Sequence, residues 1–389
     1  MKKKYLNLVS LFWFLKFVFD MFYTQKIFSI IITIFALLLL VFNFKNNKFK
    51  PNIADIFIII MFILFSTSFF KSTYLYIDYL KIISAFILYF LGRLLFFNEN
   101  KTEKTILFSL FTVFSINLII CLIGKGSITW GNANTLRGLY FFKTDFACML
   151  CYFLVFWLFN YNKSKSVKLI ITIIDILLIL LTNARIYYLI CIFILVLYYF
   201  FCKKQRVYSF KTISTLVLSI IIVIFGISLM SNLSFFKERE MISLSFNSFE
   251  DLFDASNTQG RNEVWNALIY NFNNQNLITR TFGTGLDFYI DHGFNGFSEH
   301  STYIKVLLNT GYFGLTVFSL FMITALIAIK KIKSLKLEYI IFILLIIFLV
   351  SGISSPTILY INTSWLPMFY AGIAISNSYI EKNERIENL

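Results

Sequence analysis

The sequence predicts an all-α polytopic membrane protein of about twelve transmembrane helices with one large extracytoplasmic loop, and three observations lead there. Of its 389 residues, 58% are hydrophobic and 14% charged, against roughly 25% charged in an ordinary soluble domain. Apolar runs of roughly 17 to 25 residues recur from one end of the chain to the other, each long enough to cross about 30 Å of hydrocarbon. Basic residues, finally, collect in alternate loops.

Spans are expected near 5–22, 27–44, 53–71, 74–97, 104–124, 139–160, 166–182, 185–202, 211–231, 302–329, 337–352 and 357–378. Lys16 and Asp20 interrupt the first, but they lie four apart and so can pair on one helix face. No small-residue cleavage site follows that segment, so it reads as a span and not as a signal peptide.

The net charge is +15, and its placement is more informative than its size. With the amino terminus inside, segments 43–52, 98–104, 160–168, 203–211 and 330–336 face the cytoplasm, and they hold clusters such as Lys203, Lys204, Arg206 and Lys211. The opposite short loops hold one or two basic residues each, which is the positive-inside pattern of an even number of spans with both termini cytoplasmic. The basic excess therefore reports topology. No basic stretch interleaved with aromatics lies outside the spans, so nucleic acid is not an expected partner.

The chain divides into a membrane region 1–231 with about nine helices, a loop 232–301, and a membrane region 302–389 with about three helices and a cytoplasmic tail. The loop is the one long polar connection, with nine acidic residues against four basic ones. Within it, Gly260–Phe272 reads as an amphipathic helix with Val264, Trp265, Leu268, Ile269 and Phe272 on one side, lying along the membrane surface. Gly283-Thr284-Gly285 lacks the flanking strand and helix of a nucleotide-binding turn and reads as a plain turn. Gly311 and Gly314 suit close helix packing or a local bend. The five cysteines lie in or beside spans, which implies no disulfide framework. The Cys148-x-x-Cys151 pair has no second pair or nearby histidine to complete a metal shell.

A charge at the bilayer centre costs about 2.5–3.5 kcal/mol on insertion scales, so each one in or beside a span calls for a reason. Arg137 and Arg185 are expected at the outer starts of inward-running spans, and Arg261 opens the loop helix. A guanidinium at a helix N-terminus can hold two phosphate oxygens. Lys143 is the intramembrane cation nearest the outer face, and Asp145, Asp78, Lys81 and Asp175 are expected to pair with neighbours or line a cavity. Both histidines, His292 and His300, lie in the loop; His300 sits at the outer boundary just before the tenth span, with Ser301 and Thr302 as candidate helix caps. An imidazole can take a proton from a hydroxyl near neutral pH, and Glu299 and His292 are rival bases.

Taken in order, Leu181-Thr182-Asn183-Ala184-Arg185, Gln259-Gly260-Arg261 with Trp265, Phe282-Gly283-Thr284-Gly285, and His300 followed by Leu307, Gly311 and Gly314 resemble the O-antigen polymerase and ligase superfamily of bacterial surface-polysaccharide enzymes. The stretch Arg137 to Asp145 is similar to a further family segment, so the resemblance spans roughly 130–320. Two departures are Ala184 where the family has Ser before the arginine, and Ser301 where it has Asn after the histidine.

The resemblance implies a C-type glycosyltransferase that uses a polyprenyl-diphosphate sugar donor and neither nucleotide, metal nor other cofactor. It implies His300 as the catalytic base and Arg185 and Arg261 as diphosphate ligands, supported by Arg137 or Lys143. Trp265, Arg280, Gly283 and Gly285 would support the site. The implied partners are a lipid-linked donor and acceptor, membrane lipids and a candidate chain-length regulator. A polymerase of repeat units fits the Phe- and Ile-rich chain. A ligase of the same superfamily is the nearest alternative and a lipid-linked-glycan flippase the next, although a single late loop and no internal repeat argue against transport.

Overall fold

A computed structural model describes residues 2–22, 26–46, 50–71, 76–94, 99–130, 133–209, 214, 261–284 and 300–387. The described residues form helices α1 (Lys2–Asp20), α2 (Lys26–Asn46), α3 (Ile53–Lys71), α4 (Tyr76–Leu94) and α5 (Glu99–Leu122), then a two-stranded hairpin of β1 (Ser127–Trp130) and β2 (Ala133–Leu136). There follow α6 (Lys143–Asn160), α7 (Lys165–Leu181), α8 (Arg185–Cys202), α9 (Arg261–Asn273), α10 (Leu277–Phe282), α11 (Thr302–Ile329), α12 (Leu335–Ser354), a 3-10 turn Thr357–Leu359 and α13 (Ile361–Glu387). Eleven of the twelve expected spans are thus helices; the ninth, 211–231, lies outside the described residues apart from Ser214.

The chain is a multi-pass, all-α membrane protein. Among the described residues six helices (α2, α5, α6, α8, α11 and α12) are long and apolar enough to cross a membrane by length and composition. The patterning is that of a lipid-facing bundle. On α2, Ile27, Ile30, Ile34, Leu38 and Val41 are exposed, a helical stripe that water would penalise and hydrocarbon does not. By contrast α6 is central, with every residue from Asp145 to Phe159 buried. Around it pack α5, α7, α8, α12 and α13. The tightest crossing is α4 on α13, where a Cβ on Gly92 would stand 2.0 Å from the Phe369 carbonyl oxygen and one on Gly372 2.2 Å from that of Tyr89. Backbones approach this closely only through small residues.

The bundle has two distinct ends. At one, which holds the start of α3, the ends of α4 and α6 and the start of α12, basic residues meet carboxylates. Arg93 donates to both carboxylate oxygens of Asp55 at 2.8 and 2.9 Å, and Tyr89 donates to the same group at 2.6 Å. Lys336 pairs with Glu103 at 2.7 Å. Glu338 accepts from Arg206 and, at 2.9 Å, from the Val207 N–H. The other end holds the β-hairpin and the starts of α6, α8, α11 and α13. There the expected Lys16–Asp20 pair is present, buried, at 2.5 Å.

Candidate cationic site at the hairpin end

Three cations begin three helices here. Lys143 is the first residue of α6, after a Phe142 that caps nothing with its side chain. Arg185 is the first residue of α8, following Asn183 in a left-handed turn at φ 51°. Arg261 is the first described residue of α9. The charges acting on Lys143 are those of Arg185 and Arg261. Burial, and then the Arg185 guanidinium, push the pKa of Arg261 down. Among the described residues neither Lys143 nor Arg261 has an ion pair with a carboxylate. A cation at a helix N-terminus opposes the macrodipole, and neighbouring cations repel one another. An anion would relieve both, because the N-terminal N–H groups and the three side chains all favour it.

Arg137 does not join them in the expected way. It follows β2 and stands six residues before α6 begins, so it opens no span; the hairpin takes up the residues expected to lead into the helix. Its guanidinium donates to the Phe141 carbonyl at 3.4 Å. Lys143 and Asp145 do not pair either, because residues two apart on a helix point to different sides; Asp145 faces Asn362, with Asp20 and Lys16 nearby. Asp175 is wholly buried, and neither of its carboxylate oxygens has a hydrogen-bond partner among the described residues. The side chain of Asp78 lies outside the described residues.

His300 immediately precedes α11. It is exposed and adopts a left-handed φ of 43°, a conformation a non-glycine residue holds only when its surroundings impose it. The two residues that follow it are held through their hydroxyls. Ser301 occupies the N-cap position, yet its side chain does not cap the helix; it donates to the Gly352 carbonyl at 3.3 Å. Thr302 bonds the Ser355 carbonyl at 3.1 Å and the Thr357 hydroxyl at 2.8 Å. The start of α11 is thereby fastened to the end of α12 and the 3-10 turn. Tyr360, just beyond that turn, lies 6.0 Å ring to ring from Phe142 at the head of α6. His300 and Lys143 are therefore at the same end of one packed unit. The rival bases His292 and Glu299 lie outside the described residues.

The glycine positions explain each other. Helix α11 breaks at Gly311 (φ 71°, ψ −175°). A Cβ there would meet the Thr281 carbonyl oxygen at 2.2 Å, and a Cβ on Gly283 (φ 83°) would meet that of Asn309 at 2.2 Å. The turn after α10 is thus seated in the break of α11, and the Leu308 carbonyl released by the break accepts from Thr284 N and Oγ1 at 2.9 and 3.1 Å. Gly285 lies outside the described residues. Helix α9 packs on the same stretch through Leu268 and Phe272 against Leu307 and Leu308. The apolar face expected along the membrane surface is therefore covered largely by α11. Trp265, half-buried, stands one turn from Arg261 on α9, and Arg280 lies in the last turn of α10 with its Nε buried and without a hydrogen-bond partner among the described residues. One cation escaped the sequence reading: Lys305, buried one turn into α11.

Residues 170–319 match the family model described as O-antigen ligase. The match supports the resemblance to the O-antigen polymerase and ligase superfamily. The matched segment holds Arg185, Arg261, Trp265, Arg280, Gly283, Gly285 and His300, whereas Arg137 and Lys143 precede it. Lys143, expected as a supporting ligand, lies outside the matched segment but within the electrostatic reach of Arg185 and Arg261. No curated protein matches the chain.

Proposed function

We propose that the protein is a polysaccharide polymerase, a metal-independent glycosyltransferase that joins polyprenyl-diphosphate-linked oligosaccharide repeat units into an O-antigen, capsular or exopolysaccharide chain. In this reading the hairpin end is the outer face of the cytoplasmic membrane, segment 232–301 is extracytoplasmic and both termini are cytoplasmic. The observation that carries it is the meeting of Lys143, Arg185 and Arg261 at three helix starts. Such a cluster suits a lipid diphosphate, whose headgroup sits at the membrane boundary and bears several negative oxygens.

In the proposed reaction a hydroxyl oxygen of the acceptor unit attacks the anomeric carbon of the donor. The bond from that carbon to the diphosphate breaks, and its electron pair leaves with the polyprenyl diphosphate. His300 takes the hydroxyl proton. Arg185 and Arg261, with Lys143, stabilise the charge that grows on the leaving group, which is the electrostatic contribution that usually dominates in such transfers. The fastening of Ser301 and Thr302 anchors the backbone immediately after His300.

A ligase that moves a glycan to another acceptor is the second reading, favoured by the description of the matching family model. Both use the same donor chemistry and differ in the acceptor. The test is deletion in the host, complementation with wild type, His300→Ala and Arg185→Ala at matched protein levels, and sizing of the surface glycan. Accumulation of single repeat units in both variants supports the polymerase. Full-length lipid-linked polymer awaiting transfer means a ligase, and loss of repeat units from the outer face means transport.

A further inference from the structure

Close to the cations lies a second set of side chains that the proposed chemistry leaves unused. Tyr140 precedes α6, Asp145 stands in its first turn, Tyr187 in the first turn of α8 and Asn362 in the first turn of α13. None is more than 5% exposed. The hydroxyl of Tyr140 has no hydrogen-bond partner among the described residues; Asn362 stands beside Asp145, and the Tyr187 hydroxyl beside Ser351 and Cys148, but none of these contacts has full hydrogen-bond geometry. Asp145 is their common neighbour: Asn362 faces it, and Tyr140 and Tyr187 lie within its electrostatic reach. The other groups acting on Asp145 are Lys16 and Asp20 of α1, which bond each other.

Buried polar atoms in folded proteins are nearly always bonded, and a bare one costs free energy. Three of them, brought from three separate stretches of chain around one carboxyl group, are more than packing requires. The chemistry of the set is specific. A carboxylate oxygen accepts, an amide both donates and accepts, and two phenols do either. That suits a ring of neighbouring hydroxyls. It does not suit a phosphate, which Asp145 would repel. The location fits as well, because Asp145 and Tyr187 each lie two residues beyond a cation, about 3 Å further along their helices at 1.5 Å per residue.

We propose that Tyr140, Asp145, Tyr187 and Asn362 form a sugar subsite that hydrogen-bonds the hydroxyls of the ring attached to the diphosphate. The inference rests on the reading of Lys143, Arg185 and Arg261 as the diphosphate site. Ordered water could satisfy the same atoms by the same chemistry, and the experiment separates the two.

Because the phenol and amide atoms make no hydrogen bond of full geometry among the described residues, deleting them leaves the fold intact if the proposal holds. Tyr140→Phe, Tyr187→Phe and Asn362→Leu are each made in the full-length protein, purified in detergent. Thermal unfolding is followed, together with binding of two probes: bare undecaprenyl diphosphate and the host's own lipid-linked repeat unit. The expected result is unchanged or raised unfolding temperature, wild-type binding of the bare lipid, and repeat-unit affinity lowered about tenfold per variant, the size of one lost hydrogen bond. Lower unfolding temperature with unchanged repeat-unit binding would assign the atoms to structural water and overturn the proposal. Equal weakening for both probes would also overturn it, by placing the four residues in the diphosphate site. Failure of the wild-type protein to bind the bare lipid would remove the diphosphate reading instead, and the sugar subsite would then be decided by the repeat-unit arm alone.

Discussion

Apart from the Lys16–Asp20 pair, the two ends of the bundle handle their buried and half-buried cations differently. At the end that holds the start of α3, Arg93 is matched by both oxygens of Asp55, Arg206 by Glu338 and Lys336 by Glu103. At the hairpin end Lys143, Arg185 and Arg261 are set against one another, each at a helix start where the dipole adds to the repulsion. One end is neutralised by its own carboxylates. At the other, Lys143 and Arg261 have no carboxylate partner among the described residues, which is what the proposed diphosphate site requires.

Breaking the comparison at the neutralised end should give the largest effect. Asp55→Ala leaves the Arg93 guanidinium and the Tyr89 hydroxyl buried without their shared acceptor, and should lower stability by about 3–5 kcal/mol, read as loss of folded protein in a detergent thermal-unfolding series. The molecules that remain folded should keep their activity, because Asp55 lies at the far end from the cations.

At the hairpin end Arg185→Ala should reduce turnover by about 10²–10³-fold, the usual result of removing one charge-stabilising donor, with little change in unfolding temperature. Arg185→Lys should recover only part of it, since an ammonium cannot hold two phosphate oxygens at once. A stability loss as large as that of Asp55→Ala would erase the contrast between the ends.

Gly311→Ala sharpens the account of how the loop helices are held. Its backbone is left-handed and its Cβ would press on the Thr281 carbonyl, so about 1–3 kcal/mol should be lost, detectable as a lower unfolding temperature. Turnover should fall too, because α9 and α11 carry Arg261 and follow His300. The smallest effect is expected from Arg137→Ala, within about threefold of wild-type turnover, since its described partner is an exposed carbonyl.

Much of this was legible in the sequence. Apolar runs gave eleven of the helices, most to within about five residues at each end, because a helix in lipid needs length and little else; the last helix runs nine residues past its apolar run. Arg185 and Arg261 were placed at helix starts, and Gly283 and Gly311 were read as a turn and a bend. What could not be read is that the turn sits in the bend, which depends on backbone contact between segments almost thirty residues apart. Arg137 was misplaced because the runs Ser127–Trp130 and Ala133–Leu136 were absorbed into the approach to a span. The alternating Ile128 and Trp130 and the two intervening residues Gly131-Asn132 were the available signal for a hairpin. Asp145 and Asn362 are separated by more than two hundred residues, and no local pattern announces that they face each other. The Ser301 side chain turned from capping to the Gly352 carbonyl for a similar reason, a tertiary partner displacing a local one.

The central claim is that Lys143, Arg185 and Arg261 together hold a lipid diphosphate. Its most direct test is the affinity of bare undecaprenyl diphosphate for the purified wild-type protein and for Lys143→Ala, Arg185→Ala and Arg261→Ala, with undecaprenyl monophosphate as reference. The account predicts that the wild type prefers the diphosphate, and that each substitution weakens that binding by about tenfold or more while the monophosphate changes less. Equal affinity for the two lipids, or variants that bind the diphosphate as wild type does, would contradict it.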